Sequence, residues 1–145
     1  MKPLTRWFFR APIGLYRVGL GGLLGKRFLL LEHTGRVSGL PRSNVLEVVE
    51  IGDDGAPVIV SGFGETSDWY RNVTADAAVH YTIGRQRHEA TARRLERAEA
   101  RTVFDRYRQH HPRAAESIGK RIGVSLTEDI DAAADQLPLF RLNAP

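Results

Sequence analysis

The sequence predicts a mainly β fold of the α+β class, with about six short strands in an antiparallel sheet. Short runs of aliphatic and β-branched residues recur along the chain, and several are joined by tight turns instead of helices. Because six short strands leave exposed edges in an open sheet, closure into a barrel is the favoured arrangement. With 145 residues the chain has the length of one domain, which we assign to residues 1–145.

Residues 1–25 predict a helical or lid segment. Aromatic and aliphatic residues between Trp7 and Val18 form one apolar helical face, Pro12 interrupts it, and glycines end it. Arginines beside these aromatic residues suit a membrane surface, whereas packing on the protein's own core is the alternative, and both stay open. No run is long enough to span a bilayer, and arginines interrupt any signal-peptide core. We therefore expect a cytoplasmic protein, with peripheral membrane contact through this segment left open.

Three strands are predicted in the first half of the chain. Residues 27–34 are apolar and lie between glycines, which indicates a buried strand. Residues 44–51 alternate aliphatic with acidic side chains, as a half-buried strand does. Asp54 and Gly55 predict a turn, so residues 56–61 form the returning strand of a hairpin.

The second half of the chain mixes helices and strands. Residues 67–75 predict a short helix, with Ser67 as its N-cap and Asp68 in its first turn. Pro112 ends a second, longer helix. The remaining predicted elements are two strands joined at Gly84 (78–83 and 88–95), helices over 96–110 and 114–122, and a last strand over 137–142.

The charge of the chain allows an anionic partner. The net charge is +4, and of 21 basic residues only Lys2, Lys26 and Lys120 are lysines. Arginine grips phosphate and carboxylate through two parallel hydrogen bonds, although a general bias towards arginine is the alternative explanation. On the helix over 96–110 acidic residues alternate with arginines, which indicates a solvated face and no nucleic-acid partner. The absence of cysteine excludes disulfides, thiolate nucleophiles and iron–sulfur clusters.

The first candidate site is the connection TGRVSGLPR at residues 34–42, between the first two predicted strands. Its two glycines allow a tight turn, and converging amides in such a turn bind anions. Ser38 adds a hydroxyl, and Arg36 and Arg42 add two guanidinium groups. The loop therefore suits a phosphate or carboxylate without a metal, whereas a solvated hairpin loop is the alternative.

The second candidate site is SGFGETSDWYRN at residues 61–72, where a strand ends and a helix begins. The first-turn amides of that helix are free donors for an anion or a polar ring edge. Trp69 would offer a flat face, and Asn72 a donor beside an acceptor. A core position for Trp69 and a helix C-cap role for Asn72 are the alternatives.

Other kinds of chemistry lack a signal in the sequence. The histidines form no metal-binding motif, and neither a nucleophile elbow nor a phosphate-binding Walker sequence is present. The glycine-rich run at residues 19–25 follows no strand, so it does not predict a dinucleotide site. We therefore expect no metal centre and no hydrolysis, and we assign no catalytic residue.

Three linked motifs carry a resemblance to a known family. The pattern TGRxSGxPR at 34–42, then SxxG at 61–64, then WYxN at 69–72, resembles the deazaflavin-dependent nitroreductase family. The resemblance implies a six-stranded split β-barrel related to FMN-binding barrels. It also implies coenzyme F420, a deazaflavin with a phospholactyl-oligoglutamate tail, as the cofactor. The implied activity is hydride transfer from reduced F420 to a quinone, a nitro compound or a similar electron-poor acceptor.

The resemblance also implies which residues bind the cofactor. One group would hold the anionic tail, a strand would wall the ring, and the second motif would meet the ring edge and close the pocket. In that order these are Arg36, Val37 through its backbone, Ser38, Gly39 and Arg42; Asn44, Val45 and Leu46; and Ser61, Gly62, Trp69 and Asn72.

Three positions depart from the pattern of the family, and one of them is Val45, which stands where relatives often have proline. Many relatives carry a basic residue where Val37 and Gly62 stand here. FMN therefore stays open as an alternative cofactor, and a non-catalytic barrel that binds flavin, haem or lipid stays open as an alternative function. We expect a small-molecule electron acceptor as partner and either a monomer or a homodimer.

Overall fold

The computed structural model describes residues 27–62, 64–123 and 128–145. The predicted N-terminal segment therefore lies outside the described residues. Six antiparallel strands close into a barrel in the order β1-β2-β3-β6-β5-β4. The strands are β1 (Phe28–Thr34), β2 (Pro41–Ile51), β3 (Pro57–Val60), β4 (Ala78–Ile83), β5 (Gln86–Arg94) and β6 (Leu139–Asn143).

Four α-helices accompany the barrel in the described ranges. A single 3₁₀ turn, Gly64–Thr66, precedes the first of them. The helices are α1 (Asp68–Ala75), α2 (Arg97–His110), α3 (Pro112–Ile122) and α4 (Ile130–Gln136). Within the described ranges no helix combines the length and the apolar character needed to cross a membrane.

The interior of the barrel is one hydrophobic core, and α1 closes it. Leu29 and Leu31 of β1 are fully buried there, because alternate residues of a strand face the same side. Helix α1 adds Trp69 and Tyr70, whose rings contact Phe140 of β6 with centroids 5.7 and 5.6 Å apart. The short helix is therefore held by the apolar side chains that it inserts into the barrel.

A second hydrophobic core lies between the barrel wall and the other helices. Phe104 and Tyr107 of α2 pack there with Val58 and Leu139. In β3, Val58 and Val60 belong to this core, while Ile59 between them belongs to the interior. The strand is thus buried on both faces, which explains its uninterrupted run of apolar residues.

The predicted barrel of six antiparallel strands is confirmed, with differences at its edges. Strand β2 begins at Pro41, three residues before the predicted start, because Pro41 pairs with Thr34 across the hairpin. Pro112 ends α2 as predicted and also occupies the first turn of α3, where its missing N–H costs nothing. Helix α4 was not predicted: it has only seven residues, and its N-cap Asp129 accepts a hydrogen bond from the Ala132 amide at 3.0 Å.

Candidate functional site

The connection between β1 and β2 folds into a tight turn, which we call the corner (residues 35–42). The Gly35 amide donates to the Leu40 carbonyl at 2.9 Å, and the Gly39 amide donates to the Gly35 carbonyl at 2.8 Å. Ser38 Oγ accepts from the Leu40 amide at 3.2 Å. Gly39 has a φ of 70°, and a Cβ at Gly35 would lie 2.5 Å from Ser38 Oγ. Gly39 therefore holds a backbone conformation that favours glycine, and a side chain at Gly35 would displace the Ser38 hydroxyl.

The corner presents hydrogen-bond donors to solvent. In the part of the chain that the structure describes, the amides of Val37 and Ser38 donate to no protein group, and Arg42 pairs with no carboxylate. Arg42 is exposed, and the Val37 side chain is 92% exposed. Successive free amides beside a guanidinium group form a concentrated positive region. The corner can therefore bind an anion at the surface.

Arg36 ties the corner to helix α1. Its backbone amide and its Nη1 both donate to Asn72 Oδ1, at 3.0 and 2.8 Å. Its Nη2 lies 3.4 Å from Asp68 Oδ1, in an ion pair whose Asp68 side chain is 86% exposed. Asn72 is buried inside α1, whose C-cap is Asp76, so the alternative of Asn72 as a C-cap is wrong.

His33 joins this network, although sequence reasoning did not select it. It is 5% exposed, its Nε2 lies 2.8 Å from Asn44 Oδ1, and its Nδ1 lies 3.2 Å from Asn72 Nδ2. Burial lowers the pKa of His33 below its ordinary value, although the hydrogen bond to Asn44 opposes this. One signal was available: His33 continues the inward-facing row of Leu29 and Leu31, so its ring had to enter the core.

The second candidate motif begins with a buried turn. Ser61 is fully buried, and its hydroxyl donates to the Gly64 carbonyl at 2.6 Å and lies 3.1 Å from Ser67 Oγ. Ser67 is the N-cap residue of α1 as predicted, but its side chain makes no capping bond, so the predicted hydroxyl cap is wrong. The hydroxyl contacts Ser61 instead. A Cβ at Gly62 would meet no atom within 4 Å, so this position is open.

The residues expected to wall and close a ring pocket differ in accessibility. Trp69 is 5% exposed and is part of the interior core, which agrees with the alternative that it occupies a core position. Leu46 packs against the same core. Val45, the residue before Leu46, faces the opposite side of β2, because successive strand residues face opposite sides. One flat ring can therefore contact the side chain of Val45 or of Leu46, but not both.

The three motifs thus converge around the start of α1. Arg36 contacts Asp68 and Asn72, and Ser61 contacts Ser67. Two grooves lie elsewhere: one of about 670 Å³ near Arg27 and Pro112, and one of about 370 Å³ near Leu95 and Pro138. Neither is lined by residues of the corner. The corner and the start of α1 therefore lie apart from both of these grooves.

Comparison with known proteins supports one family. Residues 9–129 match the family model of the F420H(2)-dependent quinone reductases. No curated protein shows significant sequence similarity to this chain.

Solved structures share the fold. A structure described as an F420-H2 dependent reductase, FDR-A, is 25% identical over 82% of this chain and 96% of its own, with a TM-score of 0.59. A domain-swapped dimer is 24% identical over 96% of this chain and 98% of its own, with a TM-score of 0.60. The protein Atu2129 from Agrobacterium tumefaciens is 21% identical with a TM-score of 0.61; the match covers 93% of this chain and 55% of that protein. An FMN-binding protein from Nostoc punctiforme shares the barrel as well, and the predicted split β-barrel is confirmed.

Proposed function

Because this chain belongs to the F420H(2)-dependent quinone reductase family, whose cofactor is coenzyme F420, we propose that it transfers a hydride from reduced F420 to a quinone. Nitro compounds and similar electron-poor acceptors are the second acceptor class in this proposal. The observation that carries it is the corner, where, among the residues that the structure describes, the Arg42 guanidinium group has no carboxylate partner and lies beside amides that donate to no protein group. These donors suit the negatively charged tail of the coenzyme.

The donor set of the corner fits an anionic group. Arg42 brings a full charge that no carboxylate of the described chain neutralises, and the amides of Val37 and Ser38 bring two further donors. A Cβ at Gly39 would meet no atom within 4 Å, so the backbone is accessible on that side. Arg36 has five guanidinium N–H donors, and its contacts with Asn72 and Asp68 leave some of them for a ligand.

The buried members of the proposed site act as its support. Trp69 packs edge-on against Phe140 and so fixes the position of α1, which carries Asn72. The Ser61 hydroxyl fixes the turn that leaves Gly62 open to a ring edge. Val45, on the outer face of β2, is the side chain that we propose for contact with the ring, while Leu46 backs the strand from inside.

In this proposal the residues of this chain bind and orient the two reactants, and no residue is assigned a catalytic role. When bound, the reduced deazaflavin supplies the hydride. A quinone that gains a hydride also takes up one proton to become a hydroquinone, and we assign that proton to water. Holding the two reactants side by side is then the main contribution of the protein to the rate.

Titration of the purified protein with F420, followed by fluorescence, tests the proposal. We expect saturable binding at micromolar concentration and oxidation of reduced F420 when menadione is added. No binding at tens of micromolar F420 would contradict the proposed function. Preferential uptake of FMN without oxidation of reduced F420 would favour the non-catalytic alternative. A panel of quinones and nitroaromatic compounds then ranks the acceptors.

The assembly state is a separate part of the proposal. A structural neighbour is described as a domain-swapped dimer, which supports a homodimer for this chain. Sedimentation at several protein concentrations tests it, and a constant monomer mass would contradict it.

The predictions on cytoplasmic location and on membrane contact stay predictions. The segment expected to touch a membrane, residues 1–25, lies outside the described residues. Flotation of the full chain with anionic vesicles tests that contact.

A further inference from the structure

A continuous row of polar side chains runs from strand β2 to the corner. Asn44 Oδ1 contacts His33 Nε2 at 2.8 Å, and His33 Nδ1 contacts Asn72 Nδ2 at 3.2 Å. Asn72 Oδ1 then accepts from the backbone amide and the guanidinium group of Arg36, at 3.0 and 2.8 Å. His33 and Asn72 are 5% and 4% exposed, so water does not substitute for these contacts.

The direction of every hydrogen bond in this row follows from its last member. The amide and guanidinium groups of Arg36 can only donate, so the oxygen of the Asn72 side chain must face them. The Asn72 nitrogen then faces His33 Nδ1, which must accept and so carries no hydrogen. The hydrogen of the neutral imidazole is therefore on Nε2, and it is donated to Asn44 Oδ1.

We propose that His33 is a positioning residue that holds the Asn72 side chain in the orientation that fixes Arg36 at the corner. Through Asn72 the imidazole controls both contacts that Asn72 makes with Arg36. The link to catalysis rests on the proposed function, because it requires Arg36 to bind the tail of the coenzyme. The positioning itself does not require that function.

A second proton on His33, placed on Nδ1, is incompatible with this arrangement. With Nδ1 protonated, two donors face each other between His33 and Asn72. If the Asn72 side chain turns over to accept from His33, its nitrogen faces the donors of Arg36 instead. In the first case the His33–Asn72 contact is lost and His33 no longer holds Asn72; in the second case the Asn72–Arg36 contacts are lost directly. Protonation therefore weakens the hold of Asn72 on Arg36.

The charged groups around His33 have opposing effects on this proton. Arg42 from β2 disfavours it, and Asp68 from α1 favours it. On β4, Tyr81 is uncharged and so adds no charge near His33. His80 lies opposite Glu32, on the face of β1 that points away from His33. Burial is the largest effect, and it keeps the imidazole neutral near pH 7.

The first test uses the wild-type protein without coenzyme. Nitrogen-15 NMR should show a non-protonated Nδ1 at neutral pH. As His33 takes up a proton below pH 6.5, the protection of the Arg36 amide against hydrogen exchange should fall by about 10-fold or more with the same midpoint. Protection that stays constant while His33 titrates, or a hydrogen on Nδ1 at neutral pH, would overturn the positioning role.

The second test compares two substitutions that divide the contacts of His33. The side chain in His33→Asn places an acceptor where Nδ1 stood and keeps the Asn72 contact. The glutamine side chain in His33→Gln is longer, so its end group takes the place of Nε2 and keeps only the contact with Asn44. Both remove the imidazole, so a merely structural role predicts equal effects.

We expect H33N to bind F420 with an affinity within about 3-fold of the wild type. The part of the change in F420 affinity between pH 7 and pH 5 that depends on His33 should be absent in this variant. We expect H33Q to bind about 10-fold more weakly and to lose protection of the Arg36 amide. Equal affinities for the two variants would overturn the link to binding. If the wild type itself binds no F420, the proposed function fails, and amide exchange in both variants still decides the positioning role.

Discussion

The arginine side chains have different partners in two regions of this protein. On helix α2 and its neighbours they face carboxylates at close range. Arg106 Nε lies 2.6 Å from Glu50 Oε1, and Arg93 holds both oxygens of Glu99 at 3.0 Å. The hydrogen bonds from Arg93 and from the Glu96 amide lower the pKa of Glu99 to about 2. This region is a neutralised surface of ion pairs.

The corner uses the same residue type without such pairing. Arg42 has no carboxylate partner in the described chain, and Arg36 holds a neutral amide more closely than it holds Asp68. Its distance of 3.4 Å to an exposed carboxylate indicates a weak interaction. The comparison teaches that the partners, and not the number of arginines, show where an external anion can bind.

The largest expected effect on F420 affinity comes from removing Arg36, the corner arginine that Asn72 holds in place. Arg36→Ala should weaken F420 binding by about 10- to 100-fold, since a charge-assisted hydrogen bond contributes about 1.5–3 kcal/mol. Fluorescence titration measures this. Arg101→Ala is the matched control, because Arg101 of α2 pairs with Asp131 of α4 and contacts no residue of the corner in the described chain; this variant should keep the affinity of the wild type. Equal losses in the two variants would erase the contrast between the regions.

Removing Arg42 should affect F420 binding and not the stability of the fold. Arg42→Ala should weaken F420 binding by about 10-fold and leave the free energy of unfolding unchanged, because Arg42 makes no ion pair with the residues that the structure describes. Arg106→Ala should do the reverse, with unchanged affinity and a loss of about 0.5–1 kcal/mol from its pair with Glu50. F420 titration of both variants checks the expected affinities, and urea unfolding checks the expected free energies of unfolding. A destabilised R42A protein would show that Arg42 serves the fold.

The pH dependence of stability should separate His33 from the surface ion pairs. Burial lowers the pKa of folded His33, so the unfolded chain binds the proton first as the pH falls below 6.5. The free energy of unfolding should therefore decrease between pH 7 and pH 5. His33→Asn should remove this part of the decrease, whereas the Glu99 pair acts only in stronger acid. Urea titrations at several pH values measure it, and identical slopes would contradict the assignment.

The smallest expected effect is a gain in F420 affinity. Asp68 competes with an external anion for Arg36, so Asp68→Asn should tighten F420 binding by about 2- to 3-fold. Asp105→Asn, next to Arg108 on α2, is the control with no expected change. The gain should disappear at high salt, because salt screens exposed pairs. Weaker binding by D68N would mean that Asp68 helps to hold the ligand.

The sequence was sufficient for the parts of this molecule that depend on local chemistry. Alternation and turn residues predicted the strands, and the glycines and arginines of residues 34–42 predicted the corner. What could not be predicted depends on barrel closure. Arg36 and Asn72 are separated by 36 positions, and His33 and Asn72 by 39. Nothing local shows that these side chains meet, and the burial of Trp69 also follows from where α1 closes the barrel.

The most direct measurement of the central claim pairs a protein change with a ligand change. Wild type, R36A and R42A are titrated with F420 and with the same deazaflavin ring lacking its phosphate-containing tail. If the corner binds the tail, both substitutions weaken F420 binding by about 10-fold or more and leave the affinity for the tailless ring unchanged. Equal losses for the two ligands, or no loss for either, would contradict the account.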